Sequence, residues 1–311
     1  MITHYFRTLK DEKFKAVDSI RTGVWTHAVA PTEEELETLV KEYGLDEAIL
    51  EDAQDFFEVP RMEREGNALY CFTRYPFDEK AEDIDTAPIL IVVGESFVLT
   101  VAQREVPFIK SFFDGADSEG EAVYTTQKAK LFIQMMTALT RAYEYELVAM
   151  RKSVHRDRTR IRNIRAREIE RLVGYEHELN DTIAALIPTN LWLSQVTNGN
   201  YLQLFQEDVE LMEDLTIDNR QLIDSTKSLL VTIQNIRSAS EAIITQNLNT
   251  RVGILTALTI LLTIPMVIAS LYGMNVTLPL SEHPQAFWLV IVLIGTIIGV
   301  ATHFFIKNRW L

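Results

Sequence analysis

Residues 252–272 read VGILTALTILLTIPMVIASLY, and residues 286–306 read AFWLVIVLIGTIIGVATHFFI. Neither stretch contains Lys, Arg, Asp or Glu. A helix needs about 20 apolar residues to cross the hydrocarbon layer of a bilayer, and each stretch supplies them. The alternative, two buried helices of a soluble protein, would need a very large core around the pair. The sequence therefore predicts two transmembrane helices, at about 252–272 and 286–306.

Basic residues flank the two spans on one side only. Arg251 precedes the first span, Lys307 and Arg309 follow the second, and the connection 273–285 contains no Lys or Arg. The positive-inside rule then places both chain termini in the cytoplasm and the connecting loop outside. We expect a multi-pass protein of the inner (plasma) membrane.

The chain before residue 251 is charged and has the composition of a soluble domain. A formal net charge of −14 argues against nucleic acid as a partner. The single cysteine, Cys71, excludes an internal disulfide and fits a reducing compartment. The N-terminal residues MITHYFRTLKDEKF lack the apolar core of a secretory signal. We therefore expect this part of the chain to be cytoplasmic.

Residues 1–125 are predicted to form a cytoplasmic α/β domain. Helices are expected at TEEELETLVKEY, with Thr32 and Glu35 as a capping box, and at LDEAILEDAQD. A loop near DGADSEGE closes the region. Runs rich in β-branched and aromatic residues predict five strands, at 2–8, 23–30, 68–75, 89–94 and 96–103.

Residues 126–250 are predicted to be helical, and residues 251–311 to form the transmembrane domain. One helix is expected from Thr126 to Val173, a second from about Glu176, and a third from near Tyr201. The third has no helix breaker before the first span; if it continued to Tyr272 it would contain about 70 residues and measure roughly 105 Å. No single small domain can bury such a stalk helix, so we expect an oligomer. The fold class is an α+β membrane protein whose stalk helix is continuous with a two-helix membrane hairpin.

Two charged runs lie in the helical part. Residues 151–171 are dense in arginine, and residues 206–218 are acidic. We interpret the arginine-rich run as a solvated or ion-paired helix face, with the acidic run on the neighbouring helix as a candidate partner. The acidic run is also a candidate cation site.

Several catalytic patterns are absent from the sequence. There is no GxxxxGK[ST] phosphate-binding loop, no HExxH zinc motif and no evident nucleophile–histidine arrangement. We predict that the chain is not an enzyme and needs no organic cofactor.

The first span carries a polar stripe. Its residues recur every three or four positions and therefore share one helical face: Asn249, Val252, Thr256, Thr259, Thr263, Met266 and Ser270. Two interpretations remain: a helix lining water or a partner collects such groups, and Ser and Thr also bond to their own backbone or to a neighbouring helix.

Tyr272-Gly273-Met274-Asn275 follows the first span directly. The tripeptide Gly-Met-Asn at the outer end of the first of two C-terminal spans resembles the CorA family of magnesium and divalent-cation transporters. The C-terminus KNRWL and the segment LDEAILEDAQDFFEVPRMER are also similar to that family. The resemblance runs through the whole chain.

The resemblance implies a funnel-shaped homopentamer whose first spans line a pore. Gly273, Met274 and Asn275 would then form the selectivity filter, supported by Tyr272. Asn249 would stand at the inner mouth, and Val252, Thr256, Thr259 and Thr263 would line the pore. The implied transported ion is Mg²⁺, taken up along the membrane potential.

The resemblance also implies regulation by Mg²⁺ bound between cytoplasmic domains of neighbouring subunits. The matching acidic positions are Glu51, Asp52 and, by a gapless count back from the tripeptide, Asp214.

The loop after the tripeptide departs from the family pattern, because Leu280 stands where an acidic residue is common and Glu282 lies beyond it. A transporter of zinc or another transition metal (Co²⁺ or Ni²⁺), with or without proton coupling, is therefore an alternative. A membrane-anchored sensor or structural oligomer without a pore is a further one.

Overall fold

The computed structural model describes residues 1–78, 84–112, 122–158, 166–199, 201–275 and 284–308. The chain divides into two compact units, an N-terminal unit, Met1–Ile236, and a C-terminal unit, Arg237–Leu311. The loop predicted near DGADSEGE, Leu280 and Glu282 lie outside the described residues.

A seven-stranded mixed sheet is the centre of the N-terminal unit. The strand order is β2-β1-β3-β7-β6-β5-β4; the β3–β7 pair is parallel and the other pairs are antiparallel. The strands are β1 Ile2–Phe6, β2 Lys15–Ala16, β3 Val24–Val29, β4 Arg61–Glu65, β5 Ala68–Asp78, β6 Ile84–Val93 and β7 Phe97–Ala102.

Two short helices cover one face of the sheet. Helix α1 is Glu33–Tyr43 and helix α2 is Glu47–Asp52. The predicted capping box is present, since the Thr32 hydroxyl accepts from the Glu35 amide while the Glu35 carboxylate accepts from the Thr32 amide. Leu39 and Leu50 pack with Tyr70 and other inward residues of the strands in one apolar cluster.

Long helices cover the other face. After the short helix α3, Pro107–Phe112, come α4, Lys128–Arg158, and α5, Ala166–Asn198. The rings of Phe132 and Trp192 are 6.2 Å apart, as expected if α4 and α5 run antiparallel. Buried leucines recur every seven residues along α5, which is the repeat of helices that pack side by side: Leu172, Leu179, Leu186 and Leu193.

Helix α6 is a single helix of 67 residues, Gln206–Tyr272, about 100 Å long at 1.5 Å per residue. Its first part packs on α5, where the Asn219 side-chain amide donates to the Leu186 carbonyl oxygen and to Asn190 Oδ1, both at 3.3 Å. Helix α7 is Ala286–Lys307. The long helix and the two apolar helices are therefore confirmed, and α6 ends at Tyr272 as predicted.

Some predicted boundaries were wrong. Helix α5 begins at Ala166, not near Glu176, because Gly174 lies inside the helix. A helical glycine costs only about 1 kcal/mol relative to alanine, and buried Leu172 and Leu179 on either side offset that cost. The third helix begins at Gln206, a few residues after the predicted start. Strands β2 and β4 and helix α3 were not predicted.

Candidate ion-conduction site

The Gly-Met-Asn tripeptide lies at the C-terminal end of α6. The Gly273 amide donates to the Ala269 carbonyl oxygen at 3.0 Å, and the Met274 amide donates to that of Leu271 at 3.3 Å. The Asn275 side chain is exposed, and Asn275 is the last described residue before position 284. The tripeptide therefore continues the helical hydrogen bonding for about one turn and presents the carboxamide at its end.

Gly273 does not adopt the left-handed conformation expected of a glycine that terminates a helix; among the described glycines only Gly23, Gly44 and Gly66 have positive φ. A Cβ at position 273 would lie 3.3 Å from the Ala269 carbonyl oxygen, which is tighter than usual. The absence of a side chain thus avoids a close contact with this backbone oxygen rather than allowing a special turn.

The polar stripe lies on one exposed face of α6. All seven of its side chains are exposed in the single chain. The Thr259 hydroxyl donates to the Leu255 carbonyl oxygen at 2.8 Å, and the Thr263 hydroxyl donates to that of Thr259 at 2.7 Å. The backbone-bonded interpretation therefore holds for these two threonines, while their remaining lone pairs are still available on the exposed face.

The acidic residues assigned to regulation do not meet within one chain. Glu51 and Asp52 are exposed at the C-terminal end of α2, and Asp214 is exposed on α6. No group of three or more acidic, histidine or cysteine side chains suited to a metal occurs among the residues that the structure describes. One chain alone thus supplies at most part of a cation site here.

Asp52 also has a partner that the sequence did not reveal. Arg61 Nη2 lies 2.6 Å from Asp52 Oδ2, and the same guanidinium pairs with Glu58 and Glu63. Arg61 follows Asp52 by nine residues across a loop, so no periodic pattern connects them. A cation that binds Asp52 would compete with this guanidinium.

The acidic start of α6 lies far from the arginine-rich end of α4, contrary to the suggested pairing. Glu207 and Asp208 line a cleft of about 710 Å³ together with Lys128 and Lys130, at the start of α4. Arg151 lies 23 residues beyond Lys128 in the same helix, about 35 Å away at 1.5 Å per residue. Among the described residues, the acidic start of α6 is therefore not the partner of the arginine-rich end of α4.

The two apolar helices are almost bare in the single chain. Only 6% of the most apolar window of each is buried. The core helices of a soluble protein would instead be mostly buried. An α/β unit whose longest helix continues into the first of two exposed apolar helices defines a two-span integral membrane protein.

The sequence model of the family described as "CorA-like Mg2+ transporter protein" matches residues 21–307. The chain belongs to this family, whose members are membrane transporters and not enzymes.

Several individual proteins are similar to this chain. The cobalt/magnesium transport protein CorA of Methanocaldococcus jannaschii is 27% identical over 304 residues, covering 93% of this chain and 91% of that protein. The complete structure of the CorA magnesium transporter from the same organism superposes with a TM-score of 0.85 at 22% identity, over 100% of this chain and 99% of that one. The full-length CmaX protein gives a TM-score of 0.76 at 17% identity, over 99% and 97%. The two structural likenesses bear on the fold.

Proposed function

We propose that this transporter is a Mg²⁺ uptake channel of the plasma membrane, driven by the membrane potential and assembled as a homopentamer. The observation that carries the proposal is the exposed Asn275 carboxamide at the end of α6, above a stripe of exposed polar side chains on the same helix. Family membership supports transport of a divalent cation. Arg251 and Lys307, at the other ends of the two spans, support cytoplasmic termini.

The chemistry of Mg²⁺ favours a neutral ring of ligands. The ion is small, holds its waters tightly and requires octahedral oxygen coordination. A pore that stripped those waters would face a large dehydration cost. Carboxamide oxygens of Asn275, one from each subunit around an axis, would hold the hydrated ion through its waters without trapping it. The backbone oxygens beside Gly273 would add to this ring.

The polar stripe supports a pore lined by the first span. Asn249 would stand at the inner mouth, with Val252, Thr256, Thr259 and Thr263 along the wall. Hydroxyl oxygens suit a hydrated cation because they offer lone pairs without a fixed charge. Moving a divalent ion across 100 mV is worth about 4.6 kcal/mol, twice the value for a single charge, which is enough to drive uptake.

The length and exposure of α6 support the oligomer. The helix cannot bury its length in one chain, and apolar side chains such as Val231 and Leu248 are more than half exposed before the span begins. Copies of the same helix around an axis would cover them. The pentameric count and the funnel shape come from the family resemblance.

Carboxylates of neighbouring subunits would form the regulatory cation site. Glu51 and Asp52 from one subunit and Asp214 from the next would share Mg²⁺ and draw the subunits together, and loss of the ion would let like charges repel. The Arg61 guanidinium beside Asp52 would weaken this site and keep its affinity for Mg²⁺ low enough for the ion to leave.

The deciding experiment is Mg²⁺ flux into liposomes that contain the purified full chain. Asn275→Ala is expected to reduce flux to the level of empty liposomes while the oligomer elutes unchanged, because the hydrated ion loses its ring of ligands. Asn180→Ala is the matched control, since Asn180 is an exposed asparagine on α5. Undiminished flux through Asn275→Ala would contradict the proposal that Asn275 forms the selectivity filter.

The same assay separates the candidate ions. Flux of Mg²⁺, Zn²⁺, Co²⁺ and Ni²⁺ is compared with and without a proton gradient. Magnesium flux that follows the membrane potential and ignores the proton gradient supports the proposal. Zinc flux that depends on the proton gradient would replace it with the zinc alternative, and an absence of flux for every ion would favour a sensor without a pore.

Limited proteolysis tests the regulatory site. Mg²⁺ is expected to slow cleavage of the N-terminal unit, and Asp214→Ala is expected to raise the Mg²⁺ concentration needed for protection. Asp224→Ala, an exposed carboxylate on the same helix, should leave protection unchanged. Identical cleavage in wild type and Asp214→Ala would exclude Asp214 from the site.

A further inference from the structure

The arginine-rich run is an island of positive charge that the transport function does not use. Residues 151–171 contain nine Lys and Arg against three Asp and Glu, a net charge of +6 in a chain whose formal net charge is −14. In the described part of this run, Arg151, Lys152, Arg156 and Arg171 are exposed. Glu207 and Asp208, at the start of the acidic run, lie beside Lys128 and Lys130 at the opposite end of α4.

One side of α4 carries these charges next to apolar side chains. Tyr143, Leu147, Met150 and Val154 are buried at alternating intervals of four and three residues. The opposite side, here called the basic face, consists of Tyr145, Val148, Lys152, His155 and Arg156. Tyr145 is 74% exposed and Val148 is 42% exposed.

The composition of the basic face is that of a surface that contacts lipid headgroups. An aromatic ring with a polar tip prefers the membrane interface. Long cationic side chains lay their stems on apolar surface and extend their charge into the headgroup layer. Basic clusters beside membrane spans are attracted to anionic phospholipids.

The basic face also lies at the end of the N-terminal unit from which the chain continues to the membrane. Asn219 contacts Leu186 and Asn190. Because α5 and α6 run antiparallel there, Ile236 lies at about the level of Arg171. Fifteen residues of α6 then separate Ile236 from Val252, the first residue of the span. A short length of chain therefore tethers this end of the N-terminal unit to the span, which raises the effective concentration of the membrane surface for it.

We propose that the basic face of α4 binds the anionic phospholipid headgroups of the membrane in which the chain is inserted. Lys152 and Arg156 supply the charge, and Tyr145 and Val148 supply the interfacial contact. The interaction is electrostatic at long range, so it weakens with salt, because the Debye length falls from about 8 Å at physiological ionic strength to about 3 Å at 1 M.

The test uses the full chain in nanodiscs and a contact quencher on the lipid headgroup. Ala149→Cys places a thiol on an exposed position beside the basic face. A bimane fluorophore labels it selectively, because Cys71 is fully buried and burial raises the pKa of its thiol. Quenching by nitroxide-headgroup lipid is compared between phosphatidylcholine alone and a mixture with phosphatidylglycerol.

Quenching is expected to be at least twofold stronger with phosphatidylglycerol, and to fall to the phosphatidylcholine value in 1 M salt and in the double variant K152E/R156E. The matched control, K10E/K13E, makes the same change in net charge at two exposed lysines of the N-terminal segment and should keep the strong quenching. The readout needs no ion flux, so it is independent of the proposed transport mechanism.

Two results would overturn the proposal. The first is equal quenching in both lipids, unaffected by K152E/R156E. The second is a label inaccessible to the quencher in both lipids, together with dissociation of the oligomer by K152E/R156E; the basic face would then be a contact between copies of this chain.

Discussion

The N-terminal unit and the two apolar helices differ in how much one chain explains. In the N-terminal unit, large side chains such as Trp25, Phe132 and Leu139 are almost completely buried and their contacts lie within the chain. In the apolar helices beyond Arg251, only Ala257 and Phe305 are buried among the described residues. The first region is stabilised by contacts within the chain, whereas the second has few such contacts in a single chain.

A pair of identical substitutions tests this difference with the largest expected effect. Leu139→Ala in α4 removes a side chain that is 1% exposed and should lower the free energy of unfolding of the N-terminal unit by about 2–5 kcal/mol. Leu262→Ala in the span removes one that is 62% exposed in the single chain. If lipid alone covers Leu262, thermal unfolding in detergent should show almost no change.

A large loss of stability from Leu262→Ala would show that another copy covers this leucine, and oligomer size measured beside thermal unfolding would detect it. A small effect of Leu139→Ala would contradict the assignment of this residue to the core.

Acidification should also act on the N-terminal unit. His27 in β3 is buried and lies 2.8 Å from Thr100 Oγ1, and burial lowers the pKa of its imidazole to about 4. The unfolded chain takes up this proton near pH 6.5. The contribution of the neutral His27 side chain to the free energy of unfolding is therefore present above pH 6.5 and is lost as the pH falls toward 4. Between pH 7 and pH 5 the loss should be about 2 kcal/mol, since each unit of pKa difference is worth about 1.4 kcal/mol.

Thermal unfolding at pH 7 and pH 5 measures this loss. His27→Phe should reduce the pH dependence whatever its effect on stability, while His177→Gln, at a histidine 81% exposed, should not. Asp11 does not interfere, because Lys15 and Thr8 hold the pKa of its carboxyl below the usual range and its contribution is lost only in more acidic solution. An unchanged pH dependence in His27→Phe would exclude His27 as the titrating group.

The sequence predicted elements whose signal is local. The capping box of α1 needs only Thr32 and Glu35, and β5 and β7 are recognisable from their apolar runs alone. Strand β4, with the sequence RMERE, was missed because an edge strand with charged side chains has no apolar alternation. The start of α5 was misplaced because Gly174 has the same appearance inside a helix as at its end.

The candidate site was predictable only in part, for the same reason. Spacing alone placed the polar stripe on one face of α6, but the role of the tripeptide as a selectivity filter was inferred only from family resemblance. The Asp52–Arg61 pair and the separation of the acidic start of α6 from the arginine-rich end of α4 depend on tertiary packing. The positions of charged residues in a sequence do not give the distances between them in the fold.

The smallest expected effect concerns a single hydroxyl of the stripe. Because the Thr259 proton is donated to the Leu255 carbonyl oxygen, the side chain offers the exposed face only oxygen lone pairs. Those lone pairs are what the waters around a cation need, so Thr259→Val should lower Mg²⁺ flux a few-fold without changing the oligomer. Thr296→Val is the matched control, since its hydroxyl is bonded in the same way to Val292 but lies on α7. Equal effects of the two variants would mean that Thr259 faces lipid or a neighbouring helix, as the residues of α7 are expected to do. That outcome would contradict a pore lined by the first span at this level.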